Sequence, residues 1–371
     1  MPDSFTKEDE LTRALQQTAE ICIECGKCAV ACLFLKNNGS PAEIAQKALS
    51  SQEGAEQASV LAYDCSCCGL CSAVCPVDAR PAEIFSLLRE KAQQTGSFDL
   101  KRYSPLLGYE RTGSRFPFRD SIIPEGCTTA FFPGCTLPAL FPQAVLNTMA
   151  ILKSHDPTVG LVLECCSKPS KMLGLTEKHN SALSELVRNM QEKGIKRVLS
   201  GCSNCHVTLK EFDPPFEVVS IYEQLASMDI PAVPPYLKEI TVHDPCVTRF
   251  EKSIHEAVRL LLRKAGINVS EMKHCGEKTI CCGEGGATGF HKPEYSKAWS
   301  GKRIEEARKT GLPMATYCAG CVNYLSPNHP TAHILDLLTV ERKDIPRLPG
   351  FPINYINRLK LRLEARMVRP A

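Results

Sequence analysis

The chemistry in this chain of 371 residues rests on its 21 cysteines, most of which fall in runs or pairs rather than singly. Two of them, Cys281 and Cys282, sit side by side in KTICCGEGG and open straight into glycines. Neighbouring Cα atoms are about 3.8 Å apart across a trans peptide, below the usual disulfide separation of about 4.4–6.8 Å, so the two are poor partners for each other. Taken alone, the stretch leaves three readings open: inert thiols, halves of two separate bridges, or two ligands of one inorganic centre. Secreted disulfide proteins are cysteine-rich, but they are short, carry a leader and hold an even count. Here the opening residues, MPDSFTKEDELTRALQQ, are polar and acidic without an apolar leader segment. No stretch approaches the ~18 apolar residues of a membrane span. A net charge of +3 is too small for a nucleic-acid footprint. The expectation is a cytoplasmic protein with thiolates held on metal.

Near the N-terminus, CIECGKCAVAC supplies Cys22, Cys25, Cys28 and Cys32, and CSCCGLCSAVCP supplies Cys65, Cys68, Cys71 and Cys75, followed by Pro76. This spacing resembles that of two-cluster ferredoxins, in which three close thiolates wrap one face of a 4Fe–4S cube. Eight ligands in this order suit zinc poorly, since its structural sites close with four. The resemblance implies that the fourth cysteine of each run crosses over. One cube would take Cys22, Cys25, Cys28 and Cys75, the other Cys65, Cys68, Cys71 and Cys32. Cys67 is surplus and reads as a thiol outside the ligand set. Each run precedes the same phrase, SPAEIAQKAL at 40–49 and RPAEIFSLLREKA at 80–92, with proline in the first helical turn and Ser40 as an N-cap. With a further helix bearing Leu11, Leu15 and Ala19, these predict a helical module over residues 1–95 that passes single electrons. Residues 96–126 read as a linker packed on its neighbours.

The second half contains itself twice. Cys135 is followed by Cys165–Cys166 and then Cys202 and Cys205; Cys246 is followed by Cys281–Cys282 and then Cys318 and Cys321. Thirty-five residues separate the adjacent pair from the Cys-x-x-Cys in both copies. The tails also match, as VVSIYEQLA at 218–226 and AHILDLLTV at 332–340. Short β-rich runs (TAFFPGC, VGLVLECC, KRVLSGC, EITVHDPC, PMATYC) end on these cysteines, and amphipathic helices such as 180–193 and 253–265 lie between them. Alternating strand and helix predicts parallel sheets with ligands gathered beyond the strands' carboxyl ends. Each copy thus offers five cysteines, either four on a cube with one bystander or all five on one centre.

These motifs resemble the CCG-domain family, typified by the catalytic subunit of heterodisulfide reductase, in the form where a ferredoxin module precedes two CCG domains. The pattern is complete in Cys246, Cys281, Cys282, Gly283, Cys318 and Cys321, with His243 opening the phrase HDPC. The first copy has Ser167 where glycine is expected. The fold class expected is α+β multi-domain, with the ferredoxin module followed by two tandem α/β CCG domains at 127–240 and 241–345, and a basic amphipathic tail at 346–371. The resemblance implies two cubane 4Fe–4S clusters and two non-cubane 4Fe–4S centres, each of the latter held by five cysteines. It also implies an iron–sulfur oxidoreductase that reduces or forms a substrate disulfide between the two centres. Other relatives, the iron–sulfur subunits of glycolate, lactate and glycerol-3-phosphate dehydrogenases, imply an alternative: electron transfer between a flavoprotein and a quinone-reactive membrane partner or cytochrome.

Around the cysteines, His206 and His243 are candidate proton donors to a leaving thiolate, or hydrogen-bond donors to cluster sulfur. Lys168, Lys171 and Arg249 read as a solvated basic loop or as a grip on an anionic substrate. Gly283 is expected to let backbone approach the centre. Cys127 and Cys275 read as structural thiols. In the tail, Ile356, Leu359, Leu363 and Met367 share a helical face beside five basic residues, as in a helix packed on its own domain or docked on a partner or at the inner membrane surface.

Overall fold

The computed structural model describes residues 7–369. Residues 1–6 of the polar N-terminus and the last two of the tail lie outside that range. Nine strands form two sheets: β1 Asp120–Ile122, β2 Thr129–Phe132, β3 Gly160–Leu163, β4 Arg197–Ser200 and β5 Glu217–Ser220 in the first, and β6 Glu239–His243, β7 Asn268–Val269, β8 Met314–Thr316 and β9 Thr331–His333 in the second. The first runs β1-β3-β2-β4-β5 and the second β7-β6-β8-β9. All pairs are parallel except β1 on β3. Without β1 the two orders are the same topology, so the repeat in the cysteines is a repeat of the fold.

The matching tails are each an edge strand leading into a short helix, β5 into Ile221–Ala226 and β9 into Ile334–Thr339. These helices exchange between copies. Ile221–Ala226 packs on Lys252–Lys264 of the second copy, and Ile334–Thr339 on Pro142–His155 of the first. One apolar core results, drawn from both sheets and including Phe131, Leu161, Leu199, Val242, Ala315 and Leu335. The reciprocal contact turns the strand ends of the two copies toward a common crevice.

The N-terminal module is helical: Lys7–Ile21, Pro41–Ser50, Gln52–Leu61 and Pro81–Thr95 surround Leu15, Phe34, Ile44, Ile84 and Phe85. Ser40 closes a capping box with Glu43, its hydroxyl accepting from the Glu43 amide at 3.0 Å. Two buried arginines join this module to the rest. Arg89 donates to the carbonyls of Ala62 (3.1 Å), Cys65 (2.6 Å), Met172 and Gly286 (2.8 Å), so one side chain touches all three cysteine-rich units. Arg249 donates to Cys68 (3.0 Å), Glu277 and Thr279 (2.9 Å). The segment between module and sheets is itself structured, with a helix over Ser104–Gly113 and the edge strand β1.

Candidate iron–sulfur sites

In the N-terminal module Cys22, Cys25, Cys28 and Cys75 line one cavity of about 280 Å³, together with Cys71. Cys32, Cys65, Cys68 and Cys71 line the next, with Cys67. The fourth cysteine of each run thus stands with the other run. Burial pushes the Cys28 and Cys32 thiols up to about 11. Such groups keep their protons unless a cation displaces them, which suits a metal-binding set. Cys67 faces the interdomain crevice and is held down to about 6, first by its hydrogen bond with Cys65 and then by the charges of Arg89 and Lys168.

In the second half, the strand ends position the ligand candidates. Cys135, Cys165, Cys202, Cys246 and Cys318 each follow β2, β3, β4, β6 and β8 by two or three residues, and Cys205 and Cys321 sit on the helices that open there. The Cys135 and Cys165 sulfurs are 4.0 Å apart, and those of Cys166 and Cys205 are 3.3 Å apart. In the second copy a ring nitrogen of His243 and the sulfurs of Cys282 and Cys321 lie within 4.8 Å of one another. Cys281 is buried on the side of the N-terminal module, in a cluster with Leu70, Ile280 and Trp299 that Cys68 and Cys246 also touch. The second set therefore stands beside the second ferredoxin-type set.

All five cysteines of the first set line a cavity of about 430 Å³. Four of the second, Cys246, Cys282, Cys318 and Cys321, line one of about 300 Å³. Lys168, Met172, Asn204 and Glu284 line both, so the two open on one crevice of small-molecule dimensions. Glu284 is the residue that spacing missed, although it stands in CCGEGG two places after the pair. Its carboxylate lies so close over Gly320 that a side chain there would strike it. Burial, then the charges of Cys202 and Cys135 across the crevice, raise it to about 7.

Neither candidate histidine lines this crevice. His243 is wholly buried beside the second set, its ring nitrogens without a hydrogen-bond partner, and burial drives its pKa down. His206 is buried among Glu251, Lys210 and Glu223. The basic residues part company as well. Arg249 belongs to neither a solvated loop nor the crevice; it is the buried clamp described above. Lys168 lines both cavities, and Lys171, paired with Glu211, lines that of the second set. Cys127 is buried with its thiol donating to the Thr129 carbonyl at 3.2 Å, and Cys275 has Glu271, Asp244 and Arg259 around it.

Gly283 donates its amide to the Cys281 sulfur at 3.3 Å, and a further neighbour also requires glycine there. Its φ is +99°, and a Cβ would fall 2.6 Å from the Ser296 carbonyl oxygen. Ser167, its counterpart, keeps the left-handed turn at φ 57° and is buried with its hydroxyl unpartnered. The tail packs on its own domain, as one of its two readings had it, though not through its apolar face. The helix Ile353–Glu364 buries Arg358 and Leu361 against Thr136–Leu140 and Pro142–His155, while Ile356, Leu363 and Met367 face outward. Arg362 and Arg366 both bind Asp120, at 2.8 and 2.7 Å.

The donor set fits iron–sulfur chemistry. Converging thiols dominate it, and buried N–H donors without protein partners, on His243 and Arg358, stand beside them as cluster sulfur requires.

Residues 18–79 match the family profile of the 4Fe-4S dicluster domain, and 129–210 and 240–326 each match that of the cysteine-rich (CCG) domain. The chain is 26% identical over 299 residues to a polypeptide of the dihydromethanophenazine:CoB–CoM heterodisulfide reductase of Methanosarcina barkeri, covering 71% of this chain and 72% of that one. It is 24% identical over 359 residues to an uncharacterized iron–sulfur protein of Methanococcus maripaludis, covering 88% and 70%. A third relative, EtfAB:quinone oxidoreductase of Syntrophomonas wolfei, is 24% identical over 44% of this chain and 25% of its own length. Among solved structures, a hypothetical protein from Helicobacter pylori shares the fold at a TM-score of 0.51 and 10% identity, covering 92% of this chain and 74% of that one. The converging thiols and the doubled sheet thus have one explanation: the chain belongs to the CCG-domain iron–sulfur family, with a 4Fe-4S dicluster domain ahead of its two cysteine-rich domains.

Proposed function

We propose that this protein is a heterodisulfide-reductase-like oxidoreductase that cleaves or forms a substrate disulfide in the crevice between its two five-cysteine sets. The observation that carries this reading is that single crevice, lined by cysteines of both sets and by Lys168, Asn204 and Glu284. Two cubane clusters on the eight ferredoxin-type cysteines and a non-cubane centre on each five-cysteine set would supply single electrons. The chain's own residues do the rest. The second set abuts Cys68, so electrons from the N-terminal module reach it first. Lys168 and Asn204 offer donors to a polar or anionic substrate group, and Glu284 lines the crevice beside Cys318 and Cys321. His243 serves the second set as a donor to sulfur, since it does not reach the crevice.

The test is reduction of a mixed disulfide of two anionic thiols by the anaerobically reconstituted, chemically reduced protein. Stoichiometric thiol release supports the reading. No release from a protein loaded with about sixteen iron, as four 4Fe–4S centres require, overturns it.

A second reading is an electron-transfer protein in the cytoplasm, linking a flavoprotein to a quinone-reactive partner at the inner membrane surface. It is favoured by the exposed rim of Cys25, Ile23 and Val30 at the first ferredoxin-type set, and by the outward Phe351, Leu363 and Met367 of the tail. No helix among the described residues is long and apolar enough to cross a membrane. Unchanged membrane or partner association after deleting 353–371 would remove the tail from that reading.

A further inference from the structure

The apolar face of the tail looks outward, yet one of its arginines looks inward. Arg358 is only 5% exposed, and its guanidinium lies over the rings of Phe118 and Tyr109, 4.7 and 5.3 Å from their centroids. A buried cation is ordinarily matched by a carboxylate or by carbonyls. Among the described residues no carboxylate lies within ion-pairing distance of Arg358, and its Nη1 has no hydrogen-bond partner. Its other terminal nitrogen, Nη2, locates it. A Cβ on Gly113 would sit 2.9 Å from the Cys165 Cβ, and 3.5 Å from both the Cys135 Cβ and Arg358 Nη2. Gly113 thus leaves a gap across which the guanidinium meets the first five-cysteine set. Tyr109, the ring beneath it, donates to the Cys135 carbonyl at 3.1 Å.

The second set has an arginine too, but a spent one. Arg249 directs its N–H groups to the Cys68, Glu277 and Thr279 carbonyls. Arg358 keeps Nη1 unpartnered, and its Nη2 stands across the Gly113 gap from the Cys135 and Cys165 side chains.

We infer that Arg358 is a positioning residue for the first five-cysteine centre, its guanidinium donating to cluster or ligand sulfur and stabilising the reduced, more negative form. The inference rests on the reading that this set holds an iron–sulfur centre. The C-terminal helix is then part of that centre's wall, held by Arg362 and Arg366 on Asp120. N–H···S bonds and nearby positive charge raise a cluster's reduction potential, because each favours added negative charge.

The experiment is an EPR-monitored redox titration of the full chain, reconstituted anaerobically, as wild type, Arg358→Gln, Arg358→Lys and Arg362→Gln. Iron content is measured on each. Arg358→Gln is expected to lower the midpoint of the first centre so that its oxidised-to-reduced ratio at a fixed potential rises about tenfold, or 59 mV for a one-electron couple. Arg358→Lys should recover part of that shift, and the second centre should not move in any variant. Arg362→Gln, which leaves the inward cation in place, should leave both unmoved. Full iron with an unshifted first centre in Arg358→Gln overturns the inference. If Arg358→Gln fails to hold the centre, Arg358→Lys decides: a lowered midpoint supports the inference and a wild-type midpoint overturns it. A wild-type protein with no signal from the first set would instead refute the reading on which the inference stands.

Discussion

The two five-cysteine sets share strand order, spacing and the exchanged helix, yet their surroundings differ at every point that tunes a metal centre. The second set is wedged against the N-terminal module, with Cys281 beside Cys68 and Arg249 spanning the joint. The first stands away from that joint, walled by the helix Ser104–Gly113 and the C-terminal helix, with an unspent guanidinium facing it. The second copy follows its pair with Gly283, which no other residue can replace at φ +99° against the Ser296 carbonyl; the first tolerates Ser167. A duplicated scaffold has kept its cysteines and changed what packs behind them. On the function proposed above, one half receives electrons from the N-terminal module and the other presents them to the crevice.

That division can be broken at Gly283 first. Gly283→Ser should cost the second centre altogether, with about four of about sixteen iron atoms lost and the first centre's EPR signal retained. Loss of both centres would show that the copies are not separable. Next, Arg249→Leu strands the Cys68, Glu277 and Thr279 carbonyls, the last of them buried, and should destabilise the joint on the order of 3 kcal/mol. The measurement is denaturation followed by bleaching of cluster absorbance. The joint-side signals should fail earlier, while the first centre holds to the wild-type denaturant concentration. Lys168→Met removes the cation that lines both cavities. It should raise the KM for an anionic disulfide roughly tenfold, about 1.4 kcal/mol, with a smaller change in kcat. An unchanged KM would place the substrate elsewhere. The smallest effect is expected of Ser167→Gly. Relief of the left-handed serine and of its orphaned hydroxyl is opposed by the freer unfolded chain, so stability should stay within about 1 kcal/mol of wild type.

How far these features were legible depends on how local their causes are. The ferredoxin-type runs and the five strands that end on cysteines are written in spacings of a few residues, and they appear where the sequence places them. The doubled sheet was legible because 35 residues recur between the pair and the Cys-x-x-Cys. What escaped was long-range. Periodicity in the tail marks an apolar face with Ile356, Leu363 and Met367, but it cannot say that the neighbouring face, with Arg358 and Leu361, is the one that docks. Arg249 looks like any basic residue near a ligand, because its carbonyl partner on Cys68 lies 181 residues away in sequence. The Gly283 requirement comes from Ser296, thirteen residues on, where a helix turn happens to pass.

Arg89 carries a further consequence. Its guanidinium is sealed from solvent and shared among carbonyls contributed by the dicluster domain and by both cysteine-rich domains. Until all three have come together, that charge has only the Ala62, Tyr63 and Cys65 carbonyls of its own domain, and water must stand in for those of Met172 and Gly286. The N-terminal domain is therefore no interchangeable cartridge plugged into an independent reductase. In descent, a fusion of the three pieces would become hard to reverse once this arginine was in place, since later separation would leave a solvent-shaped hole in each fragment.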